Sequence, residues 1–133
     1  MKRIIIISAV LVAIFTFFSC NRSSYSFKYS TDNIKSIEIV LAENSMDYTV
    51  MRTLSNDEMN DFLEQFQMIE FNNYYIGDPM TVSGNAVKIT YSNESYEIIC
   101  YRWAEYIECN NIYFVRKSCN EEDFNKIINS FIE

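Results

Sequence analysis

The sequence predicts an α+β fold: an antiparallel β-sheet with two amphipathic helices packed on one face, in the order β-β-α-(β)-β-β-β-β-α. Three observations lead there. Two stretches repeat apolar residues at helical spacing, each behind a polar cap. Several others alternate apolar and polar residues at strand period, with Asn- and Ser-bearing turns between them. Gly and Pro number only two and one, while ten Tyr, ten Phe and one Trp supply bulk for a core, so the chain is neither disordered nor of low complexity.

The strands begin at Ile34, where IKSIEIVLA sets Ile37, Ile39 and Leu41 on one face. Asp47 to Leu54 makes a second strand, and Glu43-Asn44-Ser45 offers turn chemistry between the two. Ser55-Asn56-Asp57-Glu58 is a capping box: the Ser hydroxyl accepts from the third helical amide while the Glu carboxylate reaches back. Behind it Met59, Phe62, Leu63 and Phe66 form one apolar helical face. Met68 to Tyr75 holds another short strand, and Gly77-Asp78-Pro79 opens the longest loop, Tyr74 to Gly84.

Four strands follow at Ala86–Tyr91, Tyr96–Arg102, Glu105–Cys109 and Ile112–Lys117, with Asn93-Glu94 and Asn110-Asn111 at turn positions. Alternation places Val87, Ile89, Tyr91, Tyr96, Ile98 and Cys100 on the core side. The last element is a helix capped by Asn120, with Glu121, Glu122 and Asp123 at its positive end and Phe124, Ile127, Ile128 and Phe131 as its stripe. Both stripes then meet one sheet face.

The first nineteen residues differ from the rest. Lys2 and Arg3 precede an apolar run from Ile4 to Phe18, and Ser19 is a small residue before Cys20. A basic start, a short apolar core and a small residue at the cut describe a secretory signal. The run is shorter than the roughly 20 residues that cross a bilayer. Phe17-Phe18-Ser19-Cys20 resembles a lipobox, the motif at which bacterial lipoproteins are cleaved and lipidated on cysteine; Phe17 stands where Leu is usual. The Phe-Ser-Cys ending is similar to small lipoproteins of Bacteroidetes-type bacteria. That resemblance implies a signal peptide over 1–19, lipid on Cys20 and a bacterial cell-envelope location. It implies no activity. Residues 20–33, polar and Ser-rich, are expected to tether the lipid to a single domain over 34–133, with Phe27 and Tyr29 open to packing on that domain.

Net charge is −7 for the whole chain, and loss of residues 1–19 removes two cations and no anion. So acidic a surface, taken as a whole, disfavours nucleic acid and anionic lipid headgroups and tolerates a basic protein partner. Histidine is absent, which removes the commonest general base and most zinc sites. No phosphate loop, nucleophile elbow or calcium loop occurs. The expectation is therefore a non-enzyme with no cofactor and no metal.

Three further cysteines fall at 100, 109 and 119. A two-residue turn at Ala104-Glu105 sets Cys100 opposite Cys109, a possible disulfide in an oxidising compartment. The alternative leaves both as small buried hydrophobes. Cys119 lies at a helix start, where three acidic neighbours oppose a thiolate.

Tyr101, Trp103, Tyr106, Glu108 and Tyr113 collect where an outer sheet face or its rim is expected, a candidate partner-binding surface rich in rigid aromatics. Three functions fit: a membrane-anchored module that binds a protein, an inhibitor or immunity-type protein that blocks a basic enzyme or toxin, and a small-ligand or glycan binder that uses Trp103.

Overall fold

The computed structural model describes residues 22–43, 47–72, 83–108 and 110–133. The fold is α+β, and the described residues form two antiparallel sheets and two helices. The strands are β1 (Arg22–Ser23), β2 (Ile34–Ala42), β3 (Tyr48–Thr53), β4 (Phe71–Asn72), β5 (Gly84–Tyr91), β6 (Tyr96–Ile99), β7 (Ala104–Glu108) and β8 (Asn111–Val115). The helices are α1 (Asn56–Phe66) and α2 (Glu121–Ile132), and Thr31–Asn33 makes one 3-10 turn. The main sheet runs β3-β2-β5-β6-β7-β8; β1 and β4 form a small second sheet.

Both helix starts follow their caps. Ser55 Oγ accepts from the Glu58 amide and Glu58 Oε2 from the Ser55 amide at 2.8 Å, closing the capping box. Asn120 Oδ1 accepts from the Glu122 amide at 2.9 Å. Phe62, Phe66, Phe124, Ile128 and Phe131 are buried together on one sheet face over Ile37, Ile39, Val87, Ile89 and Ile99, with Met59, Leu63 and Ile127 at the margin. The expected two helices on one face are what the chain builds.

Three expectations are corrected. Residues 22–33 are not a tether: Tyr25 is buried, and Phe27 and Tyr29 pack on the core, because this segment alternates aromatics inward across sheet that the helices leave open. The β5–β6 connection is a three-residue turn, with the Tyr91 amide on Ser95 O at 2.9 Å and Glu94 at φ 65°. An odd loop shifts the register by one, so Ile89 pairs with Glu97 and Val87 with Ile99. Tyr96, Ile98 and Cys100 consequently point to the reverse face rather than the helix face. The next turn is Tyr101-Arg102, not Ala104-Glu105: Ile99 pairs with Ala104, and the Cys100 amide donates to Trp103 O at 2.9 Å.

The reverse face is itself closed. Val40, Ala42, Ala86, Ile98, Cys100 and Trp103 form a second buried cluster there. The turns at Ser92–Glu94 and Glu108–Asn111 lie at one end of the sheet. The Cys100–Trp103 turn lies at the other, with the Asn72–Ser118 bridge that joins β4 to the chain leaving β8.

Candidate functional site

The five residues expected on one surface are divided by the corrected register. Trp103 is only 2 % exposed and belongs to the reverse-face cluster, with half-buried Tyr101 packed beside it. Tyr106 is buried on the helix side, in the row Ile37–Ile89–Glu97–Tyr106–Tyr113. Glu108 is exposed. Only Tyr113 is a large exposed aromatic, at 53 %, and the structure adds Phe114 at 49 %, which periodicity alone does not single out.

Tyr113 and Phe114 sit on opposite faces of β8, an edge strand. The two edges of the sheet differ. On β3 the pairing with β2 shifts between Ile39 and Val40, and Arg52 donates to Glu58 Oε1 and to the Phe131 carbonyl. A bulge and a committed charge blunt that edge. On β8 all five pairs with β7 run in register, and the strand NIYFV has neither charge nor Pro. Among the described residues no strand pairs with its outer edge, which is apolar after Asn111 and flanked by Arg116, a template for another strand.

The helix-side footing of β8 is rigid. Tyr113 stacks on Tyr106 with ring centroids 6.0 Å apart, and Tyr106 Oη lies 3.0 Å from Tyr29 Oη. Lys28 Nζ covers the Tyr106 ring at 4.9 Å. Next in the row, buried Glu97 accepts from Tyr91 Oη at 2.6 Å, from the Lys28 amide at 3.1 Å and from Tyr25 Oη at 3.5 Å. Burial raises the Glu97 carboxyl, against these hydrogen bonds and nearby Lys117, which lower it. Lys117 Nζ also lies 4.5 Å from the Tyr25 ring centre.

On the reverse face Lys88 Nζ meets Glu38 Oε2 at 3.1 Å between the Tyr48 and Tyr96 rings. Glu105 is 0 % exposed, and among the described residues neither its carboxylate oxygens nor Trp103 Nε1 finds a hydrogen-bond partner. Burial alone pushes the Glu105 carboxyl up to about 7. Glu97 and Glu105 are the two buried carboxylates of the described residues, yet Glu105 pairs with Ile98, so they point to opposite faces. They do not form an acid–base pair.

Cys100 is a free, buried thiol pushed up to about 11, and Cys119 is free and pushed up to about 12, both by burial. Cys109 lies outside the described residues. The expected turn at Ala104-Glu105 is absent from the described strands: Cys100 faces Trp103 across the Tyr101-Arg102 turn. Cys20, the segment 1–19 and residues 74–82 of the expected loop also lie outside the described residues; Gly84 opens β5. No group of His, Cys, Asp or Glu suited to a metal ion occurs among the described residues, and none of their helices is long and apolar enough to cross a membrane.

A groove of about 670 Å³ opens beside α1 and α2, lined by Gln65, Met68, Ile69 and Ile127 with Arg22, Glu70, Asp123 and Lys126 among its charges. Compared with family models, curated proteins and solved structures, the chain matches none.

Proposed function

We propose that this chain is a non-catalytic, lipid-anchored envelope protein that binds a protein partner by accepting its strand on β8. The address rests on the signal-like segment and Cys20; the binding mode rests on the exposed Tyr113–Phe114 edge. Main-chain hydrogen bonds along an open edge supply affinity, and alternate side chains supply selection. The Tyr106–Tyr113 stack holds one of those side chains before the partner arrives, which lowers the ordering cost. The glycan reading loses its platform because Trp103 is buried.

The test is photo-crosslinking in the native envelope with a reactive side chain at Phe114, and at Val50 on the blunted edge as comparison. A discrete protein adduct from Phe114 alone, lost on Tyr113→Lys, supports the proposal. Full-level protein with no adduct at Phe114, or equal adducts at both edges, refutes it. A basic toxin or enzyme in the adduct assigns the partner to the inhibitor class.

A further inference from the structure

Two facts about the start of the domain combine into an orientation. Arg22 is already fixed: it pairs with Asn72 in the small sheet, and Asn72 is bridged to Ser118, with its amide on Ser118 O at 2.7 Å and the reverse bond at 3.1 Å. Buried Tyr25 and the packed Tyr29 leave no slack after it. A single residue, Asn21, separates Arg22 from Cys20. Two extended residues span about 7 Å at most.

We infer that the sheet end bearing Arg22, Met68 and Lys126 rests against phospholipid headgroups. This deepens the lipid-anchor reading and depends on it. An acyl group on Cys20 brings the α-carbon of Arg22 to within about one headgroup thickness of the bilayer, so the surface around Arg22 has no route away from it.

The chemistry of that surface agrees. Met68 is 79 % exposed, the most exposed of the large hydrophobic side chains described, and it lines the groove with Arg22 and Lys126. An apolar, flexible side chain ringed by charge suits the zone between headgroup and acyl chain. Arg22 pairs with Glu70 at 3.7 Å, with both side chains more than half exposed, so the pair can open to lipid phosphate and ammonium. Lys126 is a second donor for phosphate and Asp123 a second acceptor for the ammonium of a zwitterionic headgroup. Arg102 and Arg116 lie at the same end, by the Cys100–Trp103 turn and the chain leaving β8. Asn111 lies at the opposite end, beside Glu108.

The lipidated full-length protein is reconstituted on vesicles of phosphatidylethanolamine and phosphatidylglycerol with chain-brominated acyl groups. Met68→Trp and Asn111→Trp each add an indole to the constant Trp103 background. The added emission of Met68→Trp should fall about twofold relative to unbrominated vesicles, while that of Asn111→Trp should not change. Equal responses at the two positions, on protein that floats with the vesicles and carries acyl mass on Cys20, overturn the orientation and leave the anchor standing. An unmodified Cys20 in the intact mass overturns the anchor and the orientation with it.

Discussion

Tyr91 and Glu97, six residues apart across a three-residue turn, share a 2.6 Å hydrogen bond inside the core. The same carboxylate takes Tyr25 and the Lys28 amide from the N-terminal segment. One buried charge thus stitches residues 22–33 to the middle of the sheet. Its position depends on the turn: one residue more in the loop and Glu97 points to the other face.

Removing that carboxylate should free the segment. Glu97→Ala leaves the Tyr91 hydroxyl and the Lys28 amide without their acceptor and should cost about 2–4 kcal/mol. Hydrogen exchange of amides 25–29 should accelerate more than that of α1. Uniform acceleration across the domain would show that Glu97 acts on the core as a whole instead.

Glu105 makes stability depend on pH. Its folded carboxyl titrates at about 7 against an ordinary 4.5, so the folded state holds a proton that the unfolded state has released. The contribution is complete below pH 4.5 and is lost as pH rises through about 7. Urea unfolding should find the protein more stable at pH 5 than at pH 8, by about 1–3 kcal/mol. Glu105→Gln should reduce that difference without abolishing it, since Glu97 is raised as well. An unchanged difference in the variant would assign the effect elsewhere.

The helix layer is expected to be intolerant of voids. Phe62 stacks on Phe66 at 5.2 Å and meets Phe131 edge-on at 5.6 Å. Phe62→Ala should cost about 3–5 kcal/mol in chemical denaturation. Val50→Ala on the exposed β3 edge should stay within about 0.5 kcal/mol.

The thiols should be slow. Cys100 and Cys119, raised to about 11 and about 12, carry almost no thiolate at pH 8. In Cys109→Ser protein both should resist alkylation until urea unfolds the chain. Peptide mapping of the unsubstituted protein should yield no Cys100–Cys109 bridge. Recovery of that bridge would refute the register through Tyr101-Arg102.

Local chemistry made much of the fold legible. The capping box at Ser55, the Asn120 cap and the two phenylalanine-bearing stripes are each defined within a dozen residues, where 3.6-residue periodicity has no competitor. They were enough for the α+β class and for both helices on one face. What the sequence left open was every face of β6 to β8, because a strand's side chains change sides with one residue of loop. Tyr101-Arg102 carries no Gly, Pro or Asn to announce a turn, and the lone sign at Ser92–Glu94 was Asn93-Glu94, compatible with two loop lengths. Tertiary packing decided between them. Burying Ile89, Ile99 and Ala104 against the helices placed Glu97 where Tyr25 and Tyr91 satisfy it, sent Trp103 and Glu105 to the reverse face, and left Tyr113 and Phe114 on an open edge. Nor could composition separate tether from core in residues 22–33, since Tyr25 is buried and Tyr29 packs on the core only because α1 and α2 leave that part of the sheet uncovered.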